Sequence, residues 1–348
     1  MVLTILTLRQ FRNYEKKTFE FSPDVTLIFG ANTAGKTNIL EAIYALATGK
    51  SFRADKDMEM IRWGHEVSSV KCQVSSEEDK HLELMITSGE IQGRKIPVKK
   101  YMVNGVSKRQ IDFVGHARVV LFWPEHLELV TDSPSLRRKY LDSVLVQADR
   151  EYRRNLISYE RGLRQRNRLL DLINEGKAHR HQLQFWDQLL IRAGGCITDK
   201  RAEYIEFINN FQFSISNFQL TYDKSVISES RLEQYKDEEV AAKATLVGPH
   251  RDDFLITKND LDLGKYGSRG EQRLAILWLK LAELTFIETR TGERPLLILD
   301  DIFSELDVEH RALILDLMGK QQTIVSSAEE EVVDLFHKHE IKAVTIRL

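Results

Sequence analysis

The segment VTLIFGANTAGKTNILEAIYALA constrains the fold most, because it joins an apolar strand, a glycine turn and a helix in that order. The turn matches the pattern GxxxxGK[ST] and consists of Gly30, Ala31, Asn32, Thr33, Ala34, Gly35, Lys36 and Thr37. Such a turn directs backbone N–H groups at a phosphate, and the positive end of the helix dipole favours the same anion. Lys36 would reach the β- and γ-phosphates, and the Thr37 hydroxyl would bind Mg²⁺. The motif therefore predicts nucleotide binding rather than an ordinary turn.

A second apolar strand that ends in carboxylates would complete such a site. Residues 296–299 are all apolar, which is typical of a strand buried in a parallel sheet, and Asp300 and Asp301 follow directly. Asp300 would hold Mg²⁺, directly or through water, and Asp301 would polarise the attacking water. Alone, these residues also describe a buried strand followed by an ordinary turn. The phosphate loop favours the metal-binding interpretation.

Composition narrows the class of protein. The 348 residues suffice for two lobes, and 50 Lys+Arg against 52 Asp+Glu exclude a uniformly basic nucleic-acid coat protein. Cys72 and Cys196 form no CxxC, so neither a zinc site nor a disulfide framework is indicated. No apolar run reaches the length of a membrane span and the first residues lack a cleavage-site pattern. We expect a cytoplasmic protein with no membrane contact.

The coarse pattern is α/β with a helical insertion. Strands are predicted at 4–8, 18–21 and 25–29, and Asn104-Gly105 predicts a hairpin turn in a strand-rich sublobe over 67–122. Later elements are predicted as a surface helix or connector over 223–243, a helix from about Gly270, a strand over 296–299, a helix from about Asp307, and strands near 323–326 and 343–346. The predicted domains are 1–130, 131–245 and 246–348, of which the first and third form one α/β lobe.

The middle segment is charged and helix-periodic. Apolar residues follow four-three spacing from Tyr152 to Ile173, with one break at Arg166. The run covers about three heptads, or about 33 Å of helix. Both an amphipathic bundle helix and a protruding coiled-coil arm fit this pattern.

A second glycine-bearing helix start precedes the carboxylate strand, in GSRGEQR. Ser268 and Glu271 have capping-box spacing, which by itself indicates a helix cap and nothing more. An uncovered helix start with Ser268 and Gly270 also suits a phosphate, here the γ-phosphate held by another subunit.

These motifs together resemble the RecF recombination-mediator family, ABC-type ATPases related to SMC proteins. The matching pieces run in family order along essentially the whole chain: FRNY, the phosphate loop, GKSFR, VNGV, VVLFWPEHLELV, SLRRKYLD, GPHRDDF, GSRGEQR and LLILDDIFSELD. The resemblance implies an ABC-type P-loop ATPase head with mixed β sheets and an inserted helical lobe carrying a short arm. It also implies ATP and Mg²⁺ as cofactors.

The resemblance also implies residue roles. Ser268 and Gly270 would contact the γ-phosphate bound by a second protomer of an ATP-dependent homodimer, with Asp307 at the same interface. Asp301 and Lys36 would be catalytic, while Arg12, Asn13 and Asn38 would contact the nucleotide. Arg53 lies where related repair ATPases place an arginine that faces nucleotide or DNA.

The sequence departs from the family pattern in ways that predict slow hydrolysis. Thr33 stands where the family usually has Gly, which would be strained if the position requires a positive φ. Arg269 and Glu271 occupy positions that are often Gln. No histidine follows the strand in QTIVSSAEE, where many ABC ATPases carry a switch histidine; only Ser326 and Ser327 do.

Two local basic segments suit DNA. Residues 93–109 carry no acid and six bases: Arg94, Lys95, Lys99, Lys100, Lys108 and Arg109. Residues 137–180 carry twelve Lys/Arg against six Asp/Glu. Each segment alone also fits a solvated face, but two beside a nucleotide-driven dimer favour contacts to the DNA backbone.

Two functions follow from the resemblance. The first is an ATP-dependent clamp of recombinational repair, replication and the SOS response, which marks duplex DNA next to single-stranded gaps with RecR and RecO as partners. Its weak ATPase would reset the dimer. The second is a nucleotide-gated scaffold with negligible hydrolysis. The heptad tract is too short for a full SMC protein, a zinc-hook ATPase needs a CxxC, a nuclease of the overcoming-lysogenization-defect type needs another domain, and a transporter ATPase would lack FRNY and GPHRDDF.

Overall fold

The structure is a computed structural model that describes residues 1–75, 78–91, 93–211, 217–304 and 308–348. The chain divides into two compact units. We call Met1–His126 with Glu283–Leu348 the discontinuous unit, and Leu127–Ala282 the inserted unit.

The elements within Met1–His126, the first part of the discontinuous unit, are β1 (Val2–Phe11), β2 (Tyr14–Glu20), β3 (Val25–Phe29), α1 (Lys36–Thr48), β4 (Val67–Ser75), β5 (Lys80–Thr87), β6 (Glu90–Ile91), β7 (Arg94–Lys95), β8 (Lys99–Val103), β9 (Val106–Lys108), α2 (Gln110–Phe113) and β10 (Val119–Phe122). The elements that follow are α3 (Glu128–Thr131), α4 (Pro134–Ala148), α5 (Arg150–Asn174), α6 (Gln184–Asn210), β11 (Phe218–Asp223), α7 (Glu229–Gln234), α8 (Lys236–Ala242), β12 (Asp253–Lys258), β13 (Leu261–Asp262), α9 (Leu263–Tyr266), α10 (Arg269–Thr291), β14 (Leu296–Asp300), α11 (Val308–Met318), β15 (Thr323–Ser327), α12 (Glu331–Lys338) and β16 (Ala343–Arg347). Short 3-10 turns lie at Asp57–Met60, Pro124–Leu127, Arg180–Leu183, Pro249–Arg251 and Ile302–Ser304.

Two sheets and one helix build the discontinuous unit. The first sheet is parallel, in the order β10-β14-β15-β3-β16. The second is antiparallel, in the order β2-β1-β4-β5-β8-β9. Helix α1 packs against strands of both, and Ile39, Leu40 and Ala42 are fully buried. A helix that is apolar on nearly all sides belongs between two layers, so the sequence after the phosphate loop places α1 there.

The hairpin turn predicted at Asn104-Gly105 is confirmed. Val103 pairs with Val106, and the two turn residues have φ of 50° and 76°. Two consecutive positive φ values are what a two-residue type I′ hairpin requires, and Asn-Gly adopts them at the least cost.

The inserted unit contains a long antiparallel helix pair. Tyr152 of α5 meets Arg201 of α6, and further along Arg166 meets Asp187. A Cβ on Gly162 would lie 2.6 Å from a Leu189 methyl carbon, so a larger residue there would have to displace the Leu189 side chain. The predicted helix therefore exists as half of a packed pair, and at about 37 Å it exceeds the expected length.

The break in the apolar spacing at Arg166 has a physical reason. The side chain is 2% exposed, its Nε donates to Asp187 at 2.7 Å, and its NH2 lies 2.7 Å from the fully buried Glu239. Its NH1 donates to the Thr245 hydroxyl at 2.9 Å. A buried charge is tolerated when it is paired and hydrogen-bonded, so Arg166 occupies an apolar position as an ionic tie to α8.

The motif GPHRDDF, which the sequence left without a role, ties the inserted unit together. Arg201 donates to Asp252 at 3.0 Å and to the Pro249 carbonyl at 2.7 Å, and Asp253 receives two bonds from Arg137, of 2.6 and 2.9 Å. The motif ends in β12, so its carboxylates connect helices to a sheet.

His250, in the same motif, is held as a neutral ring. Its Nε2 donates to the Thr245 carbonyl at 3.0 Å, so its Nδ1 accepts from the Tyr159 hydroxyl at 2.8 Å. Burial lowers the pKa of His250 to about 4.

Residues 246–282 cluster with the inserted unit, although the sequence pattern grouped them with the C-terminal part of the ATPase lobe. The reason is the sheet β11-β12-β13, in which Phe218 pairs with Lys258 and Asp223 with Asp253. Strand β11 was not predicted, because its partner lies far along the chain. Helix α10 begins in the inserted unit and ends in the discontinuous unit. The domain boundaries of the sequence analysis stay a prediction.

None of the described helices is both long and apolar enough to span a bilayer.

Candidate nucleotide-binding site

The phosphate loop joins the carboxyl end of β3 to the first turn of α1. The Lys36 ammonium donates to the carbonyls of Gly30 at 2.7 Å and Ala31 at 3.0 Å, so its charge lies inside the loop. Gly35 has φ of 108°, and a Cβ there would lie 2.7 Å from both Asn13 Nδ2 and the Tyr14 hydroxyl. Only glycine meets both conditions. The loop therefore has the turn and the cation that a phosphate requires.

Thr33 has a positive φ of 71°, the left-handed conformation in which a threonine is strained. A β-branched residue in this region is a genuine outlier and costs on the order of 1 kcal/mol or more. The Thr33 hydroxyl donates to the Asn32 carbonyl at 2.5 Å. The loop therefore stores strain at the position where the family usually has Gly.

The two predicted metal ligands lie together. The Thr37 hydroxyl donates to the Asp300 carboxylate at 3.2 Å, and the Ser326 hydroxyl donates to the same oxygen at 2.5 Å. Asp300 is 5% exposed, and burial raises its pKa, with a smaller contribution from the neighbouring carboxylate of Asp301. A buried carboxylate beside a hydroxyl is a hard oxygen pair that suits Mg²⁺, and a cation there would favour the ionised form.

Asp301 sits at a bend directly after β14. Its φ is 51°, and its backbone N–H donates to the carbonyl of Ser326 at 3.2 Å. Ser326 and Ser327 were expected to follow the strand, whereas they are the last two residues of β15, paired with β14 and β3. Ser326 thus orients Asp300 by its hydroxyl and Asp301 by its main chain. The only sequence signal for this role of Ser326 was a polar residue at the end of an apolar strand.

Asn13 and Asn38 form a hydrogen-bonded chain against the phosphate loop. Asn38 Nδ2 donates to Asn13 Oδ1 at 2.6 Å, and Asn13 Nδ2 donates to the Ala34 carbonyl at 3.4 Å. The Tyr14 hydroxyl donates to the Gly35 carbonyl at 3.2 Å. The FRNY segment is therefore fixed to the loop, beside the place predicted for the nucleotide.

Glu41, which the sequence analysis did not single out, organises the predicted arginines. Its side chain is fully buried, Arg12 binds it through two bonds of 2.8 and 2.5 Å, and Arg53 binds it at 2.8 Å. The Ser51 hydroxyl adds a bond of 2.5 Å. Burial alone would raise the pKa of Glu41, but the hydrogen bonds from Arg12, Arg53 and Ser51 outweigh it and leave the pKa below its ordinary value.

Arg53 therefore lies in the nucleotide-side cluster. It contacts Glu41 and the side-chain oxygen of Asn38, and its side chain is 30% exposed. Arg12 is 21% exposed. Each guanidinium is held at one side by Glu41 while part of it still faces solvent, an arrangement that suits contact with an anion.

The helix start with Ser268 lies at the surface. The Ser268 hydroxyl accepts from the Glu271 N–H at 3.3 Å, and Glu271 accepts from the Ser268 N–H at 2.9 Å, so the capping box exists. Lys258 pairs with Glu271 at 2.8 Å, and with Ser268 it lowers the pKa of Glu271 to about 2. Ser268 and Gly270 are exposed, and a Cβ on Gly270 would meet nothing within 4 Å. Asp307 lies outside the described residues.

The six bases of 93–109 do not form one row. Lys99 and Lys100 alternate across β8: Lys99 is 12% exposed and pairs with Asp57 at 2.5 Å, while Lys100 is exposed. Arg94 and Lys95 belong to the separate β6–β7 pair, Lys108 ends β9, and Arg109 pairs with Asp112 at 2.9 Å. Burial lowers the pKa of Lys99. Successive strand residues face opposite sides, so a basic run in sequence is split between surfaces.

A parallel sheet that carries the phosphate loop after β3 and two consecutive carboxylates at the end of β14 defines a phosphate-loop protein with the ATPase head fold of the ABC type. The family model described as RecF/RecN/SMC N terminal domain matches residues 2–346. The chain belongs to this family, and within it to the RecF proteins.

Similar proteins support that assignment over nearly the whole chain. A DNA replication and repair protein RecF of Roseiflexus castenholzii is 36% identical and covers 96% of this chain and 95% of its own. The protein of the same name from Lachnoclostridium phytofermentans is 35% identical with the same coverage. A solved structure of the recombination mediator protein RecF with ATP, in the RecFOR pathway, has a TM-score of 0.85 at 34% identity over 94% of this chain and 92% of that one.

Proposed function

We propose that this protein binds ATP and DNA in recombinational repair and replication, acting as an ATP-dependent dimer on duplex DNA next to single-stranded gaps. The observation that carries the proposal is the meeting of Thr37 and Asp300 at 3.2 Å beside a loop that encloses the Lys36 ammonium. These groups suit a triphosphate with Mg²⁺, and the relatives are named DNA replication and repair proteins. Proteins of the RecR and RecO type are the proposed partners, because a related structure belongs to the RecFOR pathway. The proposed setting is the cytoplasm, during the SOS response.

The proposed dimer closes over ATP through the helix start at Ser268. An exposed hydroxyl and an open Gly270 leave room for a phosphate from a second copy. Glu271 places a negative charge beside Ser268, and Lys258 offsets it at 2.8 Å. In this proposal Asp307 lies at the same interface.

The proposed DNA surface is the outer face of the antiparallel sheet. Cross-strand pairing aligns Lys16, Arg9, Ser69, Met85 and Lys100 in one row over five strands. At about 4.8 Å per strand, the row spans about 19 Å. Arg9, Lys16 and Lys100 are exposed, and their charges suit the phosphate backbone. Only Lys100 of this row belongs to the basic segment found in the sequence.

Hydrolysis is proposed to be slow, with Asp301 as the carboxylate that polarises water. The strained φ of 71° at Thr33 favours the alternative, a scaffold in which ATP binds but turnover is negligible. Steady-state ATP hydrolysis in the presence of duplex DNA separates the two. The enzyme interpretation predicts that Asp301→Asn loses at least about tenfold of the rate. If Asp301→Asn hydrolyses ATP like wild type, the enzyme interpretation is wrong.

Sedimentation with and without ATP–Mg²⁺ tests the dimer. We expect wild type to shift from monomer to dimer with nucleotide, and Lys36→Met and Ser268→Arg to remain monomeric. Lys36→Met should also lose ATP binding, whereas Ser268→Arg should keep it, because Ser268 acts on the partner's nucleotide. A Lys36→Met protein that still dimerises on ATP would contradict the whole proposal.

A further inference from the structure

The exposed side of α5 is strongly basic. The exposed residues of this helix are Arg150, Glu151, Arg154, Ile157, Arg161, Arg164, Gln165, Arg168 and Asn174. Five of these nine residues are arginines, and one is an acid. A solvated face that served only solubility would mix the two signs.

Four of the arginines form a stripe, which we call the arginine stripe: Arg154, Arg161, Arg164 and Arg168. Residues seven apart on a helix point in directions that differ by only about 20°, so Arg154, Arg161 and Arg168 lie on one side. Arg164 lies between Arg161 and Arg168 along the helix and projects from the same side. From Arg154 to Arg168 the stripe runs for about 21 Å.

Few acids compete for these charges. Glu151 lies 3.8 Å from Arg154, at the edge of an ion pair. Among the described residues, no salt bridge joins Arg161, Arg164 or Arg168 to a carboxylate. The nearby carboxylates Asp187 and Glu239 are bound by Arg166, on the buried side of the same helix.

The partner helix has the opposite character. The exposed charged residues in the second half of α6 are acidic: Asp199, Glu203 and Glu206. The helix pair is therefore polarised, with a cationic α5 side and an anionic end on α6. A polarised pair orients a polyanion toward one helix only.

We infer that the arginine stripe is a second binding surface for the phosphate backbone of duplex DNA. About a dozen phosphates lie along 21 Å of duplex, so four guanidinium groups have phosphates within reach over the whole stripe. Arginine also suits phosphate better than lysine, because its planar fork binds two oxygens. The only large apolar residue on the face is Ile157, 38% exposed, which is less than the aromatic and apolar anchors that a protein partner uses.

This inference rests on the proposed DNA-binding function but not on the ATP site. It predicts that the full-length chain binds duplex DNA through two basic surfaces, the sheet row in the discontinuous unit and the arginine stripe in the inserted unit. The stripe contributes without nucleotide, since it belongs to a single helix.

The test is duplex binding by fluorescence anisotropy at several salt concentrations between about 50 and 200 mM. The stripe variant is Arg161→Gln, Arg164→Gln and Arg168→Gln together. The matched control removes three exposed charges from the same unit, as Lys224→Gln, Lys236→Gln and Lys243→Gln. Thermal unfolding verifies that both variants fold.

We expect the stripe variant to bind at least about tenfold more weakly and its salt slope to fall by about 2 to 3, because each lost phosphate contact removes about 0.9. The control should stay within about twofold of wild type. Replacing the three arginines by lysine should restore most of the slope, because the charges return.

Three outcomes would overturn the inference. The first is a stripe variant with wild-type affinity and slope, and the second is a control that loses as much as the stripe variant. The third is unchanged duplex binding with weaker binding of poly-glutamate, which would assign the stripe to an acidic protein. If Arg9→Gln with Lys100→Gln abolishes binding while the stripe variant binds normally, the proposed function survives and only this inference fails. If wild type binds no duplex with or without ATP, both fail.

Discussion

The Glu41 cluster and the Arg201 cluster both bury charge, but they are built in opposite senses. Glu41 is a fully buried carboxylate that holds two arginines, 21% and 30% exposed, beside the phosphate loop. Arg201 is a buried arginine, 3% exposed, whose donors all end on groups inside its own unit, among them Asp252 at 0% exposure. In the first cluster the cations reach outward, while in the second the cation is enclosed.

Whether the cations face solvent distinguishes a cluster that can bind a ligand from one that only stabilises the fold. Arg201 is enclosed, and its hydrogen bonds go to Tyr152, Pro249, Asp252 and Asp142 of its own unit, so the Arg201 cluster serves the fold. The Glu41 cluster uses one carboxylate to fix two guanidinium groups and still leaves part of each at the surface. Fixed cations at a partly dry site attract an anion without reorganising, which is the property that a phosphate site needs.

The largest effect is expected from Arg201→Met. Removing the cation leaves Asp252 and Asp142 without their partner, so the free energy of unfolding of the inserted unit should fall by about 3–5 kcal/mol. Thermal unfolding, with hydrogen exchange of peptides from 127–282, measures the loss. Arg192→Met, on the exposed side of the same helix, is the control and should change little. Equal stability of the two variants would mean that the cluster is not structural.

The second-largest effect is expected from Glu41→Gln. The neutral amide no longer holds two guanidinium groups, so we expect a loss of about 2 kcal/mol in stability and at least about tenfold in ATP affinity. Calorimetric titration with ATP–Mg²⁺ measures the second effect. Glu15→Gln breaks the exposed pair with Arg62, at 3.2 Å, and is the matched control. If Glu41→Gln loses stability but binds ATP like wild type, the cluster beside the loop is structural as well.

The next prediction concerns how the stability of the inserted unit depends on pH. The pKa of His250 is about 4 in the folded chain, below the ordinary unfolded value of about 6.5. Between these values the unfolded chain binds the extra proton, so stability falls as the pH falls from about 6.5 toward 4. At about 1.4 kcal/mol for each pH unit, we expect this residue to cost about 3 kcal/mol of stability over the whole interval. His250→Gln keeps both hydrogen bonds without titrating, and its stability curve should be flatter over that interval; identical curves would contradict the assignment.

The smallest effect is expected from Thr33→Gly. Glycine adopts a φ of 71° without strain, so the change should stabilise the phosphate loop by about 1 kcal/mol and tighten ATP binding several-fold. Asn32→Gly, one residue earlier, should bring no such gain, since Asn32 is not among the residues with positive φ. Weaker ATP binding by Thr33→Gly would show that the threonine hydroxyl contributes more than its backbone costs.

Local patterns predicted the parts of the site that depend on neighbours in sequence. The phosphate loop, the strand that ends at Asp300 and the Asn104-Gly105 turn follow from runs of a few residues, and the structure has them. The strain at Thr33 followed from the family resemblance and not from the motif, because relatives usually have Gly at that position whereas GxxxxGK[ST] accepts any residue there.

Partners distant in sequence were not predictable in the same way. Glu41 lies within an apolar helix, which signals that a partner is needed, but Arg12 and Arg53 reach it only through the fold. Lys99 and Lys100 are adjacent in sequence and face opposite ways. The alternation of side chains along a strand predicts this, but only once the residues are known to form a strand. Strand β11 was missed because its hydrogen bonds go to residues 253–258.

The position of β3 in its sheet has a consequence for how the chain folds during synthesis. Its two neighbours are β15 and β16, so the strand that precedes the phosphate loop waits for residues 323–327 and 343–347 to leave the ribosome. The inserted unit is one continuous stretch and closes earlier, because its pairings are less distant. The apolar strand β3 therefore lacks both of its neighbours through most of translation, whereas α1 has β1, β5 and β10 available earlier. A nascent chain is thus exposed to aggregation at the strand that leads into the phosphate loop.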